Sequence, residues 1–184
     1  MQQIPKEHAR KILSPGPVVM ITAYDEENKR TTGMTCQWQM VVDDTHNVIK
    51  LGTNSHTLQC ILKTKKYVIN VPIRRYVDQV NFFGRNSGKT VNKFEQSCFH
   101  LEDCFTDGFG KLIIAESFAS IEMIVDKLIP FEDNSYMIVG EVQAARAKKE
   151  FFDDGKFLFT KETDVNELPL HHYGGDKYGV ICFV

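Results

Sequence analysis

Two long strand-like runs, Leu112 to Leu128 and Tyr136 to Ala147, are joined by a turn at Pro130 to Asn134. Partial alternation in the first run puts Ile121, Met123 and Val125 on one side and Ser120, Glu122 and Ile124 on the other. Strands of this length can bend around a barrel. Upstream, Val18 to Tyr24 is rich in β-branched and aromatic residues, and Thr31 to Val42 and Val48 to Gly52 read as two more strands. Polar turns at Asp25 to Lys29 and Asp43 to Asn47 separate these three, which predicts an antiparallel meander. Tyr67 to Val71 adds a strand that Pro72 ends.

Helical patterns are inserted between the strands. Ser55 opens one, with Leu58, Ile61 and Leu62 on one face. Lys63, Lys65 and Lys66 cluster at its far end, where cations suit the helix dipole. A second covers Tyr76 to Phe83 with Gly84 as its stop, and Thr90 to Ser97 reads as a short third. Pro15-Gly16-Pro17 punctuates the start, and the chain beyond Lys161 is irregular, ending in the apolar Val180 to Val184. No repeat, low-complexity tract or linker interrupts residues 1–184, which read as one mainly β domain: a closed or nearly closed antiparallel barrel with helical decorations.

A length of 184 residues with 42% hydrophobic side chains suffices for a sizeable core. A net charge of -2 gives no pull toward nucleic acid or anionic membranes. Met1 to Arg10 is polar and unlike a secretory leader, and no apolar run approaches the roughly 20 residues needed to span a bilayer. A soluble cytoplasmic protein is expected, with neither nucleic-acid nor membrane partners. The five cysteines, Cys36, Cys60, Cys98, Cys104 and Cys182, are odd in number and irregularly spaced, which fits reduced thiols.

Gly84 to Phe94 sets Ser87, Gly88, Lys89 and Lys93 in a basic, hydroxyl-bearing loop suited to a phosphate. It is not a nucleotide-binding P-loop, because three residues separate Gly84 from Gly88 where that loop needs four, and a helix precedes it where a strand is required. Thr53 to Thr57 lies where a strand ends and a helix begins. Free N–H groups there attract anions; Ser55 and Thr57 would add donors and His56 charge, while Asn54 or Ser55 would equally serve as a helix cap. In Met34 to Trp38, strand alternation points Thr35 and Gln37 one way, toward a ligand's heteroaromatic edge or toward water, and Cys36 and Trp38 the other. Trp38 itself reads as a core anchor.

Cys98, His100 and Cys104 are metal-ligand types without a fourth partner, so no metal site is expected from them. His171 and His172 are adjacent and point apart on an extended chain. Tyr173 and Tyr178 flank Gly174-Gly175 and could stack on a flat ring, or the pair of glycines could mark a plain turn. No Gly-x-Ser-x-Gly, His-Glu-x-x-His or Gly-x-Gly-x-x-Gly occurs.

Taken in order, several of these segments resemble the flavin reductase-like family, in its flavoredoxin branch of FMN-binding split barrels. They are Pro17 to Thr22, Met34-Thr35 with Trp38, Asn54 to Thr57, Tyr67 to Pro72, Ser87-Gly88-Lys89 with Val91, Lys93 and Phe94, Ile138 to Val142, and Gly174-Gly175 with Tyr178. The resemblance implies a six-stranded Greek-key split barrel, a homodimer, and non-covalent FMN near the dimer interface. Carried over, it assigns the phosphate to Ser55, Thr57, Ser87, Lys89 and Lys93, and the isoalloxazine ring to Thr35, Gln37 and the backbone near Asn54. Cys36, Trp38, His56, Gly88 and Tyr178 complete the expected cofactor contacts. Three positions depart from the family's pattern: His56 stands where arginine or lysine is frequent, Asn92 replaces an aspartate, and Cys36-Gln37 replaces small residues. The activity implied is an FMN-dependent oxidoreductase that takes hydride from NAD(P)H and reduces flavin, iron or another acceptor. An FMN-binding electron carrier with a protein redox partner and a barrel that binds some other ligand are the alternatives.

Overall fold

The computed structural model describes residues 16–175 and 177–182. Pro15 of the opening punctuation and Phe183-Val184 of the apolar tail lie outside them. In chain order the strands and helices are β1 (Gly16–Pro17), β2 (Val19–Asp25), β3 (Arg30–Cys36), β4 (Gln39–Val41), β5 (His46–Gly52), α1 (His56–Thr64), β6 (Lys66–Val71) and α2 (Val77–Arg85). Then come β7 (Leu101–Glu102), β8 (Ile113–Ile114), β9 (Ala119–Phe131), β10 (Ser135–Ala147), β11 (Phe152–Asp153), β12 (Lys156–Phe157), β13 (His171–Gly174) and β14 (Lys177–Gly179). Among the described residues no helix is long and apolar enough to cross a membrane.

The main sheet is antiparallel and seven-stranded, in the order β3-β2-β6-β9-β10-β5-β4. Its two edges, β3 and β4, are separated along the chain by Gln37 and Trp38 alone. The sheet must curl until those edges meet, so it is a barrel stitched shut by the backbone. Thr31 to Val42 is thus one strand broken in two, and counting it once leaves six of the seven strands around the barrel. The meander expected for the first three strands forms, with its middle strand split at the seam. β3 ladders with β2 (Val19 opposite Cys36), whereas β5 lies between β4 and β10, with Ile49 opposite both Gln39 and Ile138.

β9 and β10 form the long bent hairpin, with register shifts at Val139/Gly140 and Val142/Ala144 that increase its curvature. Its turn is shorter than expected, because Pro130 and Phe131 still pair with Tyr136 and Ser135. The run Leu112 to Leu128 is not continuous: β8 pairs with β7, and a turn closed by Ser117 N donating to Ile114 O (3.0 Å) precedes β9. The tail is more regular than expected, since β13 pairs with both β1 and β14.

β2 is buried on both faces from Val19 to Ala23, with Thr22 as the polar residue among apolar ones. Val19, Ile21 and Ala23 join the barrel core with Ile49, Tyr67, Ile69, Met123 and Ile138, and α1 packs Leu58 and Ile61 on the same core. Val18 and Met20 face outward against Val80 and Phe83 of α2. Fully buried Asn70 ties this layer together. Its amide donates to Thr22 Oγ1 (3.0 Å), and its Oδ1 accepts from Ile114 N (2.9 Å) and Ser120 Oγ (2.8 Å).

Residues 90–97 form successive turns, not the expected third helix. Lys93 explains the departure. Its side chain is buried, and Nζ donates to Phe83 O (2.8 Å) and Asn86 O (2.9 Å), so it caps the carbonyl end of α2. Gly84 lies inside α2 and is not its stop.

Two outcomes follow for stability. A Cβ on Gly140 would collide with the hydroxyl of fully buried Tyr67. Gly140→Ala should destabilise by about 1–3 kcal/mol or more in urea melts, and adding Tyr67→Phe should recover part of the loss. Burial lowers the Lys93 pKa from 10.5 to about 8. The unfolded chain therefore binds more protons between those values, and stability should rise with pH from about 8 to about 10.5. A shift of this size corresponds to roughly 3 kcal/mol. Lys93→Met should lack that rise, read as the difference in pH slope from the parent.

Candidate functional site

β3 stops at Cys36 because the chain must cross the barrel seam. Gln39 N bonds Gln37 O (3.2 Å), and Lys50 N bonds Trp38 O (2.9 Å). Thr35 and Cys36 still alternate, Thr35 toward α2 and Cys36 into the barrel core, and the kink after them lets Thr35 to Trp38 all border one cleft of about 430 Å³. Met34, Lys50, Leu51, Gly52 and the turn His172 to Gly175 complete its walls. Trp38 is not the core anchor expected: among the described residues it is 49% exposed at the seam.

Lys50 is a cleft residue that sequence reading missed. Nζ pairs with Asp133 Oδ2 at 2.6 Å and lies over the rings of Trp38 (5.2 Å) and Phe131 (4.7 Å). A lone lysine in a strand carries no signal of this; only the β5–β10 register brings it to the β9–β10 turn. Thr35 lines the cleft, but its hydroxyl donates to Val80 O (2.5 Å), which docks α2 on β3. The Cys36 thiol donates to Trp38 O (3.4 Å), and burial pushes its pKa up to about 12, so it stays a protonated spacer.

The two candidate phosphate loops meet beside this cleft. Ser55 caps α1 by accepting from Leu58 N (3.2 Å), and its hydroxyl also contacts Met34 Sδ at 2.9 Å, which links the helix start to the cleft wall. Thr57 is buried in the first turn, and Asn54 is exposed just before it. The turn after α2 folds onto the same place. Ser87 Oγ accepts from Lys89 N (3.3 Å), Arg30 Nη2 donates to Gly88 O (3.0 Å), and a Cβ on buried Gly88 would stand 3.0 Å from His56 Cδ2. Ser87 and Lys89 are exposed beside it.

Three expected contacts have other partners. His56 Nε2 lies 2.7 Å from Asp25 Oδ2, so its ring is committed to a hydrogen bond with that buried carboxylate. Burial raises the Asp25 pKa, but hydrogen bonds from Asn28 and His56 outweigh it and bring the carboxyl to about 2. Lys93 is the α2 cap described above. Tyr178 donates to Asn81 Oδ1 (2.9 Å) and its ring packs 5.0 Å from His172, so it backs a cleft-wall residue and does not line the cleft itself. Tyr173 and the glycine pair do line it, and Gly174 and Gly175 adopt φ of 100° and 60°, values that favour glycine.

Cys98, His100 and Cys104 do not gather. His100 Nδ1 pairs with Glu116 at 2.6 Å and Cys98 is exposed. The described residues instead bring together Asp25, His56 and Cys60. His171 and His172 diverge as alternation requires: His172 borders the seam cleft, and His171 borders a separate apolar pocket with Phe118, Phe157 and Phe159.

Comparison with known proteins agrees with this geometry. The family described as "Flavin reductase like domain" matches residues 11–179. The uncharacterized protein YddH of Escherichia coli strain K12 is 26% identical over 177 residues, covering 93% of this chain and 89% of that protein. The flavoredoxin of Desulfovibrio vulgaris (Miyazaki F) superposes with a TM-score of 0.82 at 18% identity, over 100% of this chain and 95% of that one. A putative flavin reductase with a split barrel domain from Shewanella frigidimarina gives 0.81 at 15% identity, over 100% and 97%. With a match that spans nearly the whole chain and a barrel of the same fold, the protein belongs to the flavin reductase-like domain family.

Proposed function

We propose that the chain holds FMN with its ring in the seam cleft and its phosphate between the start of α1 and the Ser87–Lys89 turn, and that it works as an NAD(P)H-dependent oxidoreductase. The observation that carries this reading is the convergence of Met34 to Trp38, the α1 N-terminus and the Gly88 turn at one place. The residues fit the group. The cleft volume of about 430 Å³ is in the range for small-molecule sites. Trp38 and Met34 offer a flat apolar wall, Gln37 and the seam backbone offer polar groups, and the first turn of α1 offers N–H donors for an anion.

A bound flavin would supply the redox chemistry. The chain's own part is to orient the ring, neutralise the phosphate and leave one ring face open to a nicotinamide. Hydride transfer asks for no protein acid or base. Acceptors would be free flavin, iron or another small molecule. We assign the exposed apolar edge of β4, with Met40 59% and Val41 72% exposed, to a homodimer contact, because bare strand edges seek partners. A second reading, an electron carrier, draws on the exposed Trp38, Phe131 and Tyr173 around the cleft, where a protein donor would dock.

Freshly purified protein should show flavin absorbance or gain it on FMN addition, and should then oxidise NADH or NADPH in the presence of an acceptor. Binding of FMN with reduction only by a protein donor would favour the carrier; a protein that never takes up FMN would refute both. Lys89→Ala should weaken FMN by about 1.5–3 kcal/mol, tenfold or more, and leave riboflavin affinity unchanged, read by fluorescence titration. Equal losses for the two ligands would place the phosphate elsewhere.

A further inference from the structure

We propose that Asp25, His56 and Cys60 form a binding site for one borderline-soft divalent metal ion of the zinc class. The three come from two elements. Asp25 ends β2, while His56 and Cys60 stand at i and i+4 of α1, the spacing that puts two ligands on one helical face. Their ligand atoms all lie within 4.8 Å of one another. A single nitrogen is the focus: His56 Nε2 is 2.7 Å from Asp25 Oδ2 and 3.8 Å from Cys60 Sγ.

Bond lengths of about 2.0–2.3 Å to N, O and S in a tetrahedron put ligand atoms roughly 3.5 Å apart. The nitrogen–sulfur spacing is already near that value, and the nitrogen–oxygen spacing must open by less than about 1 Å. Asn28 holds the carboxylate from behind, with Nδ2 on Oδ2 (2.7 Å) and its backbone N on Oδ1 (3.2 Å). Second partners of this kind orient metal ligands.

Charge and burial agree with the assignment. Asp25 and Cys60 are 2% and 4% exposed. A carboxylate, a thiolate and a neutral imidazole carry two negative charges, which a divalent ion cancels, so the loaded cluster is neutral where a bare charge would be costly. On binding, the Cys60 thiol releases its proton to solvent, and His56 gives up the Nε2 proton to solvent while keeping or taking one on Nδ1, so the bound ring is neutral. Water takes the fourth position. Cys/His/Asp donors select zinc-class ions over magnesium or calcium, which prefer oxygen alone. The ion braces the start of α1 against the end of β2, under the Gly88 turn.

The test is a titration of chelator-treated, reduced protein with Co²⁺ as a spectroscopic probe. One equivalent should produce a near-ultraviolet thiolate-to-cobalt band with visible bands of a four-coordinate ion, and Zn²⁺ should bleach both. Cys60→Ala should lose the near-ultraviolet band, whereas a Cys98→Ala, Cys104→Ala variant should keep it. Should Cys60→Ala fail to fold, Asp25→Asn gives the same reading as at least a tenfold loss of Co²⁺ affinity. Zn²⁺ should also raise the thermal midpoint of the parent and of the Cys98→Ala, Cys104→Ala variant, and not of Cys60→Ala or Asp25→Asn. Absence of a thiolate band in the parent, or an unchanged band in folded Cys60→Ala, would overturn the proposal.

Discussion

The chain leaves one edge of its main sheet at Cys36 and joins the other edge at Gln39. Two residues span that gap, so the barrel is closed by covalent bonds at a point where no ladder of hydrogen bonds runs. The rest of the sheet must twist and tilt enough to bring β3 beside β5, and the bulges of β10 at Gly140 supply curvature on the far side. At the seam itself the backbone cannot keep the period of a strand. Cys36 stays in the barrel core and Thr35 under α2, Gln37 and Trp38 leave the ladder, and a cleft opens beside them.

The remaining site elements are consequences of that closure. β5 ends at Gly52 on the cleft wall, and three residues later the chain starts α1, so the helix's donor-rich end is delivered to the seam. α2 lies on the outer face of β3, held by the Thr35 hydroxyl on Val80 O, and its exit turn drops onto His56. Lys93 holds that exit in place from below. A buried ammonium with two carbonyl partners is costly to desolvate but fixes the direction of the turn. The basic groups near the site thus have different duties: Lys93 and His56 are structural, Lys50 is clamped at the cleft wall, and Lys89 stands exposed on the turn.

The strands, the barrel and α1 were legible in the sequence because each is a periodic apolar pattern with turn residues at its ends. The family resemblance rested on short motifs in the right order, and those motifs fall on the seam, the two loops and the tail turn. What was not legible depends on long-range placement. Trp38 reads as a core residue by type and becomes a surface one because it sits on a crossing. His56 reads as a phosphate ligand by position and is taken by Asp25, 31 residues away in sequence. Residues 90–97 have a helical pattern, but burial of Lys93 against α2 overrides it. Lys50 has no local signature, and in the Asp25–His56–Cys60 cluster only the i, i+4 pair on α1 is local, since Asp25 comes from β2.

The central claim is that one flavin nucleotide bridges the seam cleft and the two loops. A crystal structure of the protein with FMN bound tests it most directly. The account places the phosphate against the first turn of α1 and the Ser87–Lys89 turn, with the ring beside Met34 to Trp38. A phosphate on any other surface, or a ring seated in the apolar pocket beside Phe118 and Phe159, would contradict it.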